Sequence, residues 1–184
     1  MPIEKRWVVK PQGDPATVEA LASALRIPPV LANLLVQRGI DTEEKAHSFF
    51  NPQLSDLHDP FLMKDMDRAV ERVEAAVRNQ EKIMVYGDYD VDGCTAVALV
   101  YKFLRQIGHK NLMFYIPDRY TEGYGISIKG IDLAARKGVG LIIALDCGIK
   151  ATEKVVYAKT KGVDFIICDH HLPAEEIPKA VAVL

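Results

Sequence analysis

Lys82-Ile83-Met84-Val85-Tyr86-Gly87-Asp88-Tyr89-Asp90-Val91-Asp92-Gly93 is the stretch on which the reading of this chain turns. Ile83 to Tyr86 is an apolar, β-prone run too short for a helix, which predicts a buried strand. Three carboxylates follow at alternate positions, Asp88, Asp90 and Asp92, and Gly93 is expected to close the turn. Anions this close repel one another, and keeping them together costs free energy unless cations or water lie among them. A strand that ends in such a cluster is either a metal site or a well-solvated loop.

Working outward, apolar strand-like and helix-like segments alternate. A helix is predicted from about Lys64 by Met66, Ala69, Val70, Val73, Ala76 and Val77, and leads into the first strand. Cys94 to Ile107 is apolar round much of its circumference and reads as a helix buried against a sheet. Strands are expected at 112–116, 141–145, 164–167 and 180–184, with helices at about 127–137 and 152–161. Apolar strands alternating with helices are the pattern of an α/β fold, with a mostly parallel sheet of about five strands and helices on both faces.

Ligands of such sheets bind at the carboxyl ends of the strands. Three strands here end in Asp88/Asp90/Asp92, in Asp146, and in Asp169-His170-His171. A parallel sheet brings those ends to one edge.

The upstream residues read differently. Trp7-Val8-Val9 is expected to be an extended arm on the body of the protein. Asp14-Pro15, Pro28-Pro29 and Asp41-Thr42-Glu43-Glu44 each open a short helix, with Asp41 as cap and Glu44 as its third-residue partner. The expected organisation is a helical N-terminal extension over 1–60 and an α/β domain over 61–184.

Composition narrows the class. A 49% hydrophobic and 26% charged chain is that of an ordinary globular protein. A net charge of −2 provides no global basic field for nucleic acid, although a local groove can still be positive. Cys94, Cys147 and Cys168 form no CxxC pair, which argues against zinc or a disulfide framework and for a reducing compartment. No signal-like core or membrane-length apolar run is present. A cytoplasmic protein with no membrane partner is expected.

Other readings of the cluster fail on particular residues. An EF-hand loop would need a bidentate Glu at its twelfth position, where Leu99 stands, and a preceding helix rather than a strand. Phosphatases of the haloacid dehalogenase type also place Asp-x-Asp after a strand, but use a lysine rather than a His-His pair. Paired histidines on a loop are more often plain surface residues. Directly after an apolar strand and an Asp, His170 and His171 are better explained as ligands, and imidazole with carboxylate suits Mn²⁺ better than Ca²⁺.

Asp88 to Gly93, Asp146-Cys147-Gly148 and Asp169-His170-His171 together resemble the DHH phosphoesterase superfamily. Val85 to Gly93, Tyr115 to Arg119, Glu122 to Gly125 and Leu57 to Pro60 are similar to its RecJ-type branch of single-strand-specific DNA exonucleases. That resemblance implies 5′ to 3′ hydrolysis of single-stranded DNA with Mn²⁺ or Mg²⁺, in DNA repair and recombination, alongside other proteins of those processes. It implies that Asp88 binds one metal and Asp90 the other, that Asp146 bridges them, and that His170 completes the second site. His171 would face the scissile phosphate, and Asp92 would act in catalysis from beside the ligands. Two metals about 4 Å apart can generate hydroxide and stabilise an in-line displacement.

Arg119 is the candidate for a phosphate contact, because guanidinium matches phosphate bidentately. Its alternative is a structural salt bridge. Members of that branch carry a further metal-binding Asp and a second domain, expected beyond Leu184. The chain is thus expected to be an N-terminal portion that is weakly active or inactive alone. The alternatives are a DHH-type phosphodiesterase acting on short oligonucleotides or cyclic dinucleotides, and a non-catalytic binding module.

Overall fold

The structure is a computed structural model that describes residues 6–184. Chain packing divides it between His58 and Asp59 into two compact units.

The first unit holds three helices, α1 (Pro15–Leu25), α2 (Pro29–Val36) and α3 (Glu43–Phe50), each opened by a local signal. Asp14 caps α1 by accepting the N–H of Thr17 at 2.9 Å, and prolines stand at the first position of α1 and α2. Leu21, Ala22, Ala32, Leu35 and Ala46 form a small core. Two expectations are corrected here. The cap of α3 is Thr42, whose hydroxyl reaches the N–H of Lys45. Asp41 lies one residue too early to do so, and pairs with the Lys45 ammonium at 2.6 Å instead. The Trp7-Val8-Val9 arm does not lie on a core either: Trp7 is 99% exposed. Among the described residues, the chain is held at Lys10, whose ammonium donates to the carbonyl of Gln37, at Pro11, whose carbonyl accepts from the Gln37 amide, and at Gly13, which donates to Asn33.

The second unit runs α4 (Met66–Arg78), β1 (Lys82–Gly87), α5 (Val91–Gln106), β2 (Leu112–Tyr115), α6 (Ile128–Arg136), β3 (Val139–Leu145), α7 (Thr152–Thr160), β4 (Asp164–Cys168) and β5 (Ala182–Val183). All pairings are parallel, in the order β2-β1-β3-β4-β5. This is the α/β architecture expected from the apolar strands. Alternate strand residues face opposite ways. Met84, Tyr86, Ile142, Ala144, Phe165 and Ile167 pack against α6 and α7. Ile83, Val85, Leu141, Ile143 and Ile166 pack against α4 and α5. No single helix among the described residues is long and apolar enough to cross a membrane.

Three local expectations change. β5 is two residues long rather than five, although Val181 already donates to the carbonyl of Phe165 before the ladder begins. α5 starts at Val91 rather than Cys94, because Asp90 accepts the N–H of Gly93 at 2.9 Å and so acts as its N-cap. Gly93 therefore sits in the first helical turn and does not close a loop. Finally, α5 is buried on one side only: Val97 and Leu104 are covered, whereas Leu99, Phe103 and Ile107 face outward.

Candidate metal centre

Strand order and register assemble this site. β1, β3 and β4 are neighbours, and Gly87 pairs with Leu145, which pairs with Cys168. The next residue on each strand is Asp88, Asp146 and Asp169. Adjacent strands lie about 4.8 Å apart, so three acidic positions stand side by side at the carboxyl edge of the sheet.

Asp88 is the most enclosed, at 1% exposed. Its Oδ1 accepts a long hydrogen bond of 3.4 Å from the N–H of Gly125, and its Oδ2 has no partner. A buried carboxylate oxygen without a partner is costly and calls for a cation or water. The first turn of α5 presses directly on this residue. A Cβ at Gly93 would lie 2.5 Å from the backbone oxygen of Asp88, so only glycine allows that approach.

Asp146 adopts φ 58°, a left-handed backbone uncommon for a non-glycine residue and a mark of strain at functional sites. Its N–H is held by the carbonyl of Cys168 at 2.8 Å, and its Oδ1 lies 3.0 Å from Nε2 of His170. Burial raises its carboxyl above the ordinary range and the charge of Asp90 adds to the rise, while His170 opposes it. Ligand atoms of Asp146, His170 and His171 all fall within 4.8 Å of one another.

Asp90 is exposed, spends one oxygen on the α5 cap, and stands near enough for its charge to act on Asp146. Asp88 and Asp90 lie outside the tight Asp146/His170/His171 group among the described residues. Asp92 is exposed in the first turn of α5, where its charge complements the positive end of the helix.

Two residues that lie in the motifs but were given no role from sequence stand at the same site. The side chain of Asp169 is 2% exposed and ties two loops together. Its Oδ2 accepts the N–H of Ile149 at 2.9 Å, and its Oδ1 accepts the N–H of His171 and faces that residue's Nδ1 at 2.7 Å. Burial opposes ionisation of Asp169, but these donors hold its carboxyl below the ordinary range, and Asp169 in turn raises the imidazole of His171. Tyr124 is the other. Its hydroxyl lies 3.2 Å from the carbonyl of Asp146 and 3.2 Å from Nε2 of His171. Burial, followed by the charge of Asp169, keeps the phenol protonated. Its sequence signal is the pair of flanking glycines, Gly123 and Gly125, both at positive φ.

Arg119 sits on the loop between β2 and α6. Its guanidinium lies 4.5 Å from the centre of the Tyr89 ring, so it stacks on an aromatic face, and it forms no salt bridge among the described residues. Tyr89 meets Tyr124 edge to face, and Tyr124 meets His171 in the same way. The loop is built round Glu122, which accepts from Tyr115, Ser127 and the N–H of Asp118.

The model of the DHH family, N-terminal domain, matches residues 82–184, the stretch from β1 to the last residue of the chain. The chain belongs to the DHH family. Curated DHH relatives include the single-stranded-DNA-specific exonuclease RecJ of Bacillus subtilis, 41% identical over 97% of this chain and 22% of the relative. The RecJ of Escherichia coli is 33% identical over 86% of this chain and 27% of the relative. Among solved structures, exonuclease RecJ bound to manganese aligns with TM-score 0.61 at 31% identity, over 66% of this chain and 31% of that one. RecJ from Thermus thermophilus in complex with Mn²⁺ aligns with TM-score 0.68 at 26% identity, over 93% of this chain and 24% of that one. The chain spans about a quarter of the length of these curated relatives.

The donor set fits divalent metal. It offers carboxylates and imidazoles at one edge, with an orphaned oxygen on Asp88 and a destabilised carboxylate on Asp146 that a cation would relieve.

Proposed function

We propose that this chain forms the metal-binding part of a 5′ to 3′ exonuclease specific for single-stranded DNA, of the RecJ type, using Mn²⁺ or Mg²⁺. The observation that carries this reading is the convergence of Asp88, Asp146 and Asp169-His170-His171 on one sheet edge, with the buried Oδ2 of Asp88 unpartnered. Asp88 and Asp90 would each hold one metal, Asp146 would lie between them, and His170 would complete the second set. Bound divalent ions supply an activated water and neutralise charge on a phosphoryl group. The protein's own groups orient the substrate. His171, steadied by Asp169 and Tyr124, faces the scissile phosphate and can donate a proton to it. Asp92 contributes negative charge beside the ligands, and Arg119, pre-oriented on Tyr89, grips a phosphate.

The same reading extends to residues 1–60 as a helical extension of a DHH domain over 61–184, and to a role in DNA repair and recombination with other proteins of those processes. It also extends to a cytoplasmic setting, which the three free cysteines support.

Calorimetric titration with Mn²⁺, paired with an assay of mononucleotide release from 5′-phosphorylated single-stranded DNA, tests the proposal. Metal uptake that disappears in Asp146→Ala is the expected result. Equal uptake by wild type and variant would overturn it.

A further inference from the structure

Gly125 is engaged at both of its backbone groups by residues two apart at the end of β1. Its N–H donates to Oδ1 of Asp88, and its carbonyl accepts the hydroxyl of Tyr86 at 2.9 Å. Two residues further along, the N–H of Ser127 donates to the same Tyr86 oxygen at 3.1 Å. A backbone N–H can only donate, so the single phenolic proton is committed to Gly125. Burial raises the Tyr86 phenol well above its ordinary value and keeps that proton in place.

The ring that carries this hydroxyl is itself fixed. Tyr86 is wholly buried, and the centre of the Tyr115 ring lies 5.3 Å from its own. The first turn of α6 comes down on it at Gly130, where a Cβ would stand 2.8 Å from Cε2 of Tyr86. A phenylalanine would fill the same space. The hydroxyl, costly to bury unless paired, adds nothing to that packing. What it adds is the placement of the 125–127 backbone.

We infer that Tyr86 is a positioning residue for the acidic edge. By fixing the 125–127 backbone, its hydroxyl holds the N–H of Gly125 on Asp88. It also holds the hydroxyl of Tyr124, one residue earlier, against the carbonyl of Asp146 and the ring of His171. Tyr86 acts through these two residues and not as a ligand. Its effect on metal affinity rests on the metal-centre reading above, whereas its effect on the loop does not.

Tyr86→Phe removes one oxygen and keeps the ring. Tyr157→Phe is its control, since the Tyr157 hydroxyl bonds Asp132 at 2.7 Å between α7 and α6 on the same side of the sheet. In NMR spectra of the metal-free proteins at one fixed pH, the Gly125 amide and the carboxyl carbon of Asp88 should be displaced in Tyr86→Phe and unmoved in Tyr157→Phe. Mn²⁺ affinity by calorimetry should fall about tenfold in the former alone. Gly130→Ala, whose methyl would meet the Tyr86 ring, should displace the same two resonances and serves if the Phe variant does not fold. Unmoved resonances, or the wild-type Mn²⁺ affinity, in folded Tyr86→Phe would overturn the inference. So would an equal loss of affinity in both Phe variants, the mark of a general loosening of that face. If the resonances move but the wild type takes up no Mn²⁺, the positioning role stands and the metal-centre reading falls.

Discussion

Asp169 Oδ1 stands 2.7 Å from His171 Nδ1, while its other oxygen accepts the N–H of Ile149 at 2.9 Å. One buried carboxylate thus links the loop after β4 to the loop after β3, which begins with Asp146. The consequence is that the spacing of Asp146, His170 and His171 depends on a residue outside that trio. Groups that orient the residues around a metal site commonly contribute 10–100-fold in affinity. Asp169→Ala should weaken Mn²⁺ binding by about that factor in calorimetry, and Asp169→Asn by less.

Asp88 gives a second test through stability. A ligand that binds only the folded state stabilises it by about 2.7 kcal/mol at one hundred times its dissociation constant. Mn²⁺ should therefore raise the thermal midpoint of the wild type. In Asp88→Asn the increase should vanish, while the metal-free midpoint stays equal or rises because a buried acidic group beside Asp146 is replaced by a neutral one. Calorimetric scans with and without Mn²⁺ measure both.

Gly93 should be intolerant of any side chain. A methyl group there would meet the Asp88 backbone at 2.5 Å, a contact that neither partner can relieve by rotating a side chain. Gly93→Ala is expected to cost about 2–3 kcal/mol in urea unfolding. It should also displace Asp88 and lower Mn²⁺ affinity.

The loop that carries Arg119 should loosen in acid. Burial opposes ionisation of Glu122, yet hydrogen bonds from Ser127, the Asp118 N–H and Tyr115 hold its carboxyl below the ordinary 4.5. For a carboxyl depressed in the folded state, the contributed stability is complete above the unfolded value and is lost as pH falls through the folded one. Amide protection over residues 118–127, taken relative to the intrinsic exchange rate at each pH, should thus fall below about pH 4.5, ahead of the sheet. In Glu122→Gln the loop should exchange faster at neutral pH and lose most of that pH dependence.

Much of this architecture is legible without coordinates. Ile83 to Tyr86 and Leu141 to Leu145 are too apolar and too short to be anything but buried strands, and their carboxylates follow directly in sequence. Local signals of that kind survive folding because they concern neighbouring residues. The signals that misled were local too. Asp41 resembles a cap as much as Thr42 does, and one residue of offset decides which side chain reaches the backbone N–H of Lys45. α5 looks buried all round because apolar residues stand on most of its circumference, but only the side that carries Val97 and Leu104 packs into the core.

What the sequence determined by itself is the alternation of strands and helices, and the presence of acidic and imidazole groups at three strand ends. Which of those ends become neighbours was decided only in three dimensions. The order β2-β1-β3-β4-β5 inserts β1 beside β3, and this sets Asp88 next to Asp146 although 57 residues separate them along the chain. The same packing turned Asp169 into a link between loops and drew Tyr124 onto His171. Pairing of distant strands depends on the whole set of apolar faces that must be buried together, and no single stretch of residues carries that information.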